Sequence, residues 1–238
     1  PYDSILVMHG TGTGKTCSAI TFAENYRRVG DPPTIILCPQ RIRSNFQKAV
    51  FDTARNALFQ CTGNTYHDYI LREDSIDDPD LQDNEREKHD KNRKAYRRQV
   101  LNNNYEFWGY QEFANHYNRL IADELAHRKK SSLGLLREDL IKKHFYGRLI
   151  IVDEAHNLRN SKAGDEDVPE DARDISEAYQ FLVEIRKVAR SEEEGVPGVK
   201  IALMTATPMY NVANEIWHMM RLLDGQSEAL PTRNQEEV

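Results

Sequence analysis

A glycine-rich segment near the beginning of the chain places the tightest constraint on its fold. Residues 10–16, Gly-Thr-Gly-Thr-Gly-Lys-Thr, lie between the apolar run 5–8 and a helix-compatible stretch over 15–28. Glycines in such a turn let successive backbone N–H groups face one point, and the N-terminus of the next helix adds partial positive charge. A strand, this turn and a helix in succession predict a phosphate-binding loop in an α/β protein.

The residue types in this loop indicate the ligand. The Lys15 ammonium would reach β- and γ-phosphates and the Thr16 hydroxyl would hold Mg²⁺, so ATP with magnesium is expected. His9 stands where the first glycine of the general pattern falls, and we expect no chemical role for it. The alternative is a glycine-rich turn with a solvent-exposed lysine. The predicted nucleotide-binding residues are Gly10, Thr11, Gly12, Thr13, Gly14, Lys15 and Thr16.

Four continuous apolar runs predict the strands of one sheet, at residues 5–8, 34–38, 149–152 and 201–204. Continuous runs are typical of strands covered on both faces, so we expect a parallel sheet with helices on either side. Helices are predicted over 15–28, 41–50 and 212–223, and amphipathic helices over 111–145. With 238 residues, 39% hydrophobic and 29% charged, the chain has the size of one domain with insertions.

Two charged stretches interrupt this pattern. Residues 72–98 are dominated by charged and amide side chains and predict a solvated helix or a partly disordered insertion. The acidic stretch 164–174 predicts a surface loop. The basic clusters 128–130 and 142–144 are expected on solvated helix faces, and Trp108 and Trp217 are expected to pack in the core.

Charge, cysteine content and hydropathy limit the ligands and the cellular location to be expected. A net charge of −6 argues against a uniformly basic nucleic-acid-binding face, although a local basic groove can coexist with it. Cys17, Cys38 and Cys61 lie far apart without a C-x-x-C pair, so we expect neither a disulfide framework nor a zinc cluster. Because no membrane span or signal peptide is apparent, an intracellular location is expected.

A pair of carboxylates follows the third apolar run. Asp153 and Glu154 come directly after residues 149–152, at the carboxyl edge where open α/β sheets bind ligands. Asp153 suits the shell of Mg²⁺, and Glu154 suits a general base that orients the attacking water, which makes Lys15, Asp153 and Glu154 the predicted catalytic set. The alternative is an ordinary strand end whose acidic residues cap the next helix.

The order of the motifs resembles that of superfamily 2 helicases. Residues 10–16, Asp-Glu-Ala-His at 153–156 and Thr-Ala-Thr-Pro at 205–208 are similar to helicase motifs I, II (DEAH) and III. Leu-Cys-Pro-Gln-Arg-Ile-Arg-Ser-Asn-Phe at 37–46 resembles motif Ia of Snf2-like translocases. The strings HGTGTGKTCSAI, VDEAHNLRN and MTATPMYN look most like helicase-type ATPases of large cytoplasmic DNA viruses, such as the poxvirus early transcription factor subunit and nucleoside triphosphate phosphohydrolase.

This resemblance implies a fold and further roles. Residues 1–238 would form a first RecA-like lobe, with insertions at 72–98 and 111–145 and the motif III strand between those of motifs I and II. The residues that couple the nucleotide state to movement of the lobes would be His156, Thr205, Ala206 and Thr207. Phosphates of a DNA or RNA backbone, with DNA favoured, would be contacted by Arg41, Arg43, Ser44 and Asn45. The threonines could also cap the next helix, and residues 41–45 could be a solvated helix start.

In this family a second lobe brings an arginine finger to the γ-phosphate, which raises turnover by about 10³ to 10⁵. Nothing after residue 208 resembles motifs of that lobe. We therefore expect the second lobe as a partner, weak binding and slow hydrolysis by this chain alone, and ATP-driven helicase or translocase activity in the complete protein. The complete protein would act in viral transcription or genome processing and would be located in the host cytoplasm or the virion.

Two other functions stay open. An AAA+ ATPase also pairs a phosphate-binding loop with Asp-Glu at a strand end, but would lack the Cys-Pro and Thr-Ala-Thr-Pro features. A partner-binding module of a viral transcription or virion assembly, with a vestigial nucleotide site, would dock through residues 72–98. The intact Lys15, Thr16, Asp153 and Glu154 oppose decay of the site. A GTPase is disfavoured because no Asn-Lys-x-Asp segment occurs.

Overall fold

A computed structural model describes residues 3–10, 12–28, 30–53, 60–66, 83–126, 133–158, 170–189, 198–206 and 214–224. The strands are β1 (Ser4–Met8), β2 (Thr34–Leu37), β3 (Tyr105–Trp108), β4 (Leu149–Asp153) and β5 (Lys200–Thr205). The helices are α1 (Lys15–Tyr26), α2 (Gln40–Val50), α3 (Asp83–Asn104), α4 (Tyr110–Ala126), α5 (Leu133–Phe145), α6 (Glu170–Val188) and α7 (Asn214–Asp224).

The five strands form one parallel sheet in the order β1-β5-β4-β2-β3. The predicted fold class, a RecA-like parallel sheet with helices on both faces, is confirmed. The motif III strand β5 lies between β1 and β4 as expected, with Met8 opposite Thr205 and Asp153 opposite Met204. The carboxyl ends of β1, β5 and β4 therefore meet at one place on the sheet edge.

Alternation along the strands gives the sheet two apolar faces. In β4, Ile150 and Val152 pack against α4, α5, α6 and α7, whereas Leu149 and Ile151 pack against α1, α2 and α3. Successive side chains of a strand point to opposite faces, so an uninterrupted apolar run is what a doubly covered strand requires. All four residues of β2 and all five of β4 are buried.

Three expectations about elements are wrong in part. β1 is an edge strand, and Ile5 and Met8 are 47% and 61% exposed, so its apolar run is not covered on both faces. β3 is missing from the prediction because its Tyr-Glu-Phe-Trp sequence places a carboxylate inside a short run. Residues 170–174, predicted as loop, begin α6; the rest of that stretch lies outside the described residues.

The two segments predicted to be insertions are helical where the structure describes them. Residues 83–98 belong to α3, which confirms the solvated-helix alternative for that part, whereas 72–82 lie outside the described ranges. The amphipathic helices expected over 111–145 are α4 and α5, which bury Phe113, Ile121 and Ile141 in the core. No helix in the described ranges is long and apolar enough to cross a bilayer.

Candidate nucleotide-binding site

The loop between β1 and α1 has the backbone shape that its glycines predict. Gly12 and Gly14 have φ of 78° and 91°, in the left-handed region that disfavours side chains. Thr13 closes the turn, since its hydroxyl donates to the Gly10 carbonyl at 2.7 Å. Thr11 lies outside the described residues. The conformation thus depends on glycine at two positions.

The N-terminus of α1 opens onto this loop. Gly14 is the N-cap, no side chain caps the helix, and its first turn contains no acidic residue. The first N–H groups of a helix lack intrahelical acceptors, and the helix dipole places partial positive charge there. This end of α1 therefore fits an anionic ligand.

Lys15 joins the loop to the two predicted carboxylates. Its Nζ lies 3.2 Å from Asp153 Oδ1 and forms a closer ion pair with Glu154. The side chains of Lys15 and Asp153 are 15% and 2% exposed. The structure therefore brings together three residues predicted to act as one set, although Lys15 and Glu154 are 139 positions apart in the sequence.

Burial dominates the electrostatics of Asp153. Desolvation raises the pKa of its carboxyl above the ordinary value, and the nearby Lys15 ammonium opposes this shift. Asp153 Oδ1 is buried, and the Lys15 ammonium lies 3.2 Å from it. Carboxylate oxygens are ligands that Mg²⁺ prefers, so Asp153 and the pocket-lining Thr16 fit the predicted metal role.

Glu154 has an unusual backbone conformation that a tyrosine supports. Its φ of 53° is the only positive value at a non-glycine residue among the described residues. Such geometry costs roughly 1–2 kcal/mol and persists where surrounding contacts enforce it. The buried Tyr110 hydroxyl donates to the Asp153 carbonyl, directly before this turn. Tyr110 is not among the residues predicted from the sequence, because its position follows from β3, the unpredicted strand.

The predicted coupling residues meet beside Glu154. His156 Nδ1 lies 2.9 Å from Thr205 Oγ1 and 3.4 Å from Glu154 Oε2. Thr205 is fully buried at the end of β5, and Ala206 follows it in the pocket wall. Thr207 lies outside the described residues. The segments that resemble motifs II and III therefore contact each other at the turn that contains Glu154.

A pocket of about 470 Å³ joins these parts. The phosphate-binding loop, Glu154 and Ala206 line it, together with Asn45 and Ala49 from α2 and the cysteines Cys17 and Cys61. Asn45, predicted to contact nucleic acid, thus borders this pocket. Of the other residues in that prediction, Arg41 and Ser44 are exposed and Arg43 pairs with Glu112.

The expectation that the cysteines stay unpaired is wrong in the structure. Cys17 in α1 and Cys61 form a disulfide, with Cα atoms 4.9 Å apart and a sequence separation of 44. The segment after α2 folds back on that helix, because Cys61 N–H donates to the Ala49 carbonyl at 3.1 Å. Cys17 and Cys61 come close together because α1 packs against α2, and the spacing of the cysteines in the sequence cannot show this packing.

Further predictions concern residues away from the pocket. Trp108 packs against the core as expected and stacks on His116 at 4.6 Å, whereas the Trp217 side chain lies outside the described part. Lys143 and His144 both contact Glu124 near the C-terminus of α5. Lys143 is exposed, as a solvated helix face requires, whereas Lys142 and His144 are half-buried; residues 128–130 lie outside the described ranges.

Comparison with known proteins places this site in a family. The family model "Type III restriction enzyme, res subunit" matches residues 2–209. Similar proteins include "Putative ATP-dependent RNA helicase L377" of Acanthamoeba polyphaga mimivirus, 25% identical over 94% of this chain and 17% of that protein. Another mimivirus protein, "Putative ATP-dependent RNA helicase R563", is 23% identical over 94% of this chain and 30% of its own length.

A protein of Frog virus 3 (isolate Goorha), "Putative helicase 009L", is 24% identical over 97% of this chain and 19% of its own length. The chain thus spans less than a third of each of these three relatives. The matched family region contains the phosphate-binding loop, the carboxylate pair and the Thr205 strand end, so the family resemblance and the geometry concern the same residues.

Proposed function

We propose, from the membership of this chain in the superfamily 2 helicase-type family described as "Type III restriction enzyme, res subunit", that it is the nucleotide-binding lobe of an ATP-driven nucleic-acid helicase or translocase. The observation that carries the proposal is the contact of Lys15 with both Asp153 and Glu154, across a separation of 139 residues for the Glu154 pair. A phosphate-binding lysine beside two carboxylates is the arrangement that phosphoryl transfer to water requires.

Each residue of the set has a distinct task. Lys15 exchanges its two carboxylate partners for phosphate oxygens when nucleotide binds, which leaves Glu154 free to accept a hydrogen bond and then a proton from water. Thr16 and Asp153 would hold Mg²⁺. When bound, Mg²⁺ neutralises charge on the phosphates. The αL backbone of Glu154, which follows the carbonyl held by Tyr110, fixes where that carboxylate enters the pocket.

The complete protein would supply parts that lie beyond this chain. The relatives are several times longer than the region they share with it, which leaves room for a second RecA-like lobe. An arginine from such a lobe would stabilise charge on the transferred phosphoryl group. The 238-residue chain alone is therefore expected to bind nucleotide weakly and to hydrolyse it slowly.

The finer family branch is also part of the proposal. The Asp-Glu-Ala-His motif, the Snf2-like segment 37–46 and the viral relatives support a viral ATPase of transcription or genome processing. The start of α2, where Arg41 and Ser44 are exposed and Arg43 is half-buried, would contact backbone phosphates, which is sequence-independent binding. DNA is the track we favour over RNA.

Calorimetry with Mg·ATP on the wild-type chain and on Lys15→Ala tests the nucleotide site. Binding is expected for the wild type and a loss of at least about tenfold for the variant, because charge-assisted hydrogen bonds to phosphate are removed. In a protein extended through the second lobe, Glu154→Gln should retain binding and lose nucleic-acid-stimulated hydrolysis. If neither protein binds ATP, the partner-binding module with a vestigial site becomes the better account.

A further inference from the structure

The C-terminal part of α3 carries positive charge only. From Lys91 to Asn104 it has five basic residues and no acidic one, in a chain of net charge −6, whereas residues 83–90 contain four acidic and two basic residues. Arg98 has Lys94 and Asn102 at its i−4 and i+4 positions, so no acid can pair with it at those positions. The exposed i,i+4 ion pair between Lys94 and Asp90 has a small interaction free energy, because water screens the two charges.

This basic helix face lines a cleft of about 530 Å³ along β3, the edge strand of the sheet. Lys94, Arg97 and Arg98 line it from α3, and Arg43 lines it from α2. We call this the edge cleft. The acidic residue Glu106 also borders it, but that carboxylate already accepts hydrogen bonds from Arg148 and Tyr117. The charge facing the edge cleft is therefore positive.

Two of the four cations are held before any ligand arrives. Arg97 Nε donates to the Phe51 carbonyl at 2.7 Å, which fixes the side chain and leaves its terminal nitrogens for other acceptors. Arg43 is held by its ion pair with Glu112. Side chains that are already ordered lose less conformational entropy when they bind, so the edge cleft is organised for an anion.

We propose that the edge cleft binds the backbone phosphates of a single-stranded nucleic acid, as an extension of the track that begins at α2. This inference rests on the proposed function, because Arg43 belongs both to the edge cleft and to the predicted nucleic-acid contact in α2. Four cations distributed over two helices suit a ligand with repeated charges. A cleft of this volume accommodates a segment of a single strand.

Fluorescence anisotropy with labelled oligo(dT) and oligo(U) of equal length tests the proposal on the whole chain. The test variant is Lys94→Gln/Arg98→Gln. The matched control is Lys88→Gln/Lys91→Gln, which removes the same charge from the same helix outside the cleft lining. Loss of two phosphate contacts should weaken binding about 20-fold at about 0.1 M salt. It should also make the negative slope of log K against log salt shallower by about 1.4. The control should stay within about twofold of the wild type.

Equal weakening by both variant pairs would overturn the proposal, since it would reflect the overall field of the protein. Competition by polyglutamate as strong as that by unlabelled oligonucleotide would also overturn it and assign the edge cleft to an acidic protein segment. A larger loss with oligo(dT) than with oligo(U), or the reverse, supports it and identifies the track.

The same titrations separate the two proposals. If the wild type binds an oligonucleotide and the edge-cleft variant matches the control, only the edge cleft fails. If the wild type binds neither oligonucleotide, the edge cleft and the nucleic-acid part of the proposed function fail together. Mg·ADP affinity, measured by calorimetry, should be equal in wild type, variant and control, because none of the altered residues lines the nucleotide pocket.

Discussion

Replacing Lys15 with methionine should make the stability of the ligand-free protein strongly dependent on pH. Lys15 supplies a positive charge 3.2 Å from Asp153 Oδ1, and the Asp153 side chain is 2% exposed. Methionine fills a similar volume without the charge. The variant therefore leaves a buried carboxylate whose main stabilising partner has been removed, and such changes are strongly destabilising.

The structure limits the size of this effect. Asp153 can escape the desolvation penalty by binding a proton, and at pH 7 that costs about 4 kcal/mol, because the ordinary pKa of Asp lies about three units below neutrality. The neighbouring side chain of Glu154 is 26% exposed, so water reaches this end of the site and reduces the penalty. We expect Lys15→Met to lower the free energy of unfolding by about 2–4 kcal/mol at pH 7.

The sign of the pH dependence follows from the same carboxyl. Burial raises the pKa of Asp153 in the folded protein, Lys15 lowers it, and removal of Lys15 raises it further. A carboxyl whose pKa is higher in the folded state binds more protons there than in the unfolded state. Stability therefore increases as pH falls between the folded and unfolded pKa values, by up to about 1.4 kcal/mol per pH unit. The gap in the free energy of unfolding between the wild type and Lys15→Met should shrink from pH 7 towards pH 4.

Urea unfolding between pH 4 and 8, followed by tryptophan fluorescence, measures this gap. The matched control is Lys15→Met/Asp153→Asn, in which the carboxylate is absent as well; it should regain most of the lost stability at pH 7. A variant within about 0.5 kcal/mol of the wild type at pH 7, or a gap that does not change with pH, would refute the reasoning.

Two further predictions follow from contacts around the same pocket. Tyr110→Phe removes the buried donor to the Asp153 carbonyl and should lower the free energy of unfolding by about 1–3 kcal/mol while Mg·ATP affinity changes less than threefold; unchanged urea midpoints would contradict this role. Reduction of the Cys17–Cys61 disulfide, which closes a 44-residue separation, should lower the free energy of unfolding by at most about 4 kcal/mol in the chain-entropy model. Urea midpoints with and without dithiothreitol measure this loss, and Cys61→Ser should show no response to the reductant.

The sequence by itself determined the centre of the sheet and the chemistry at its edge. The phosphate-binding loop, the doubly buried strands β2 and β4 and the carboxylates at the end of β4 follow from patterns of a few consecutive residues. Such patterns reflect local backbone requirements and the period of side chains in a strand, which a chain carries without reference to its fold. The contact of Lys15 with Asp153 could be anticipated because parallel strands bring their carboxyl ends to one edge.

Only the tertiary structure decided which distant residues support that centre. β3 carries Glu106, a poor residue for a buried strand, and its side chain is stabilised by Arg148, 42 residues away. Tyr110 reaches the Asp153 carbonyl because β3 leads into α4 beside the turn that contains Glu154. These contacts join positions far apart in the chain, and their free energy depends on the packing of whole helices and strands. No short pattern could have shown them, since the partner of each residue is chosen by the fold.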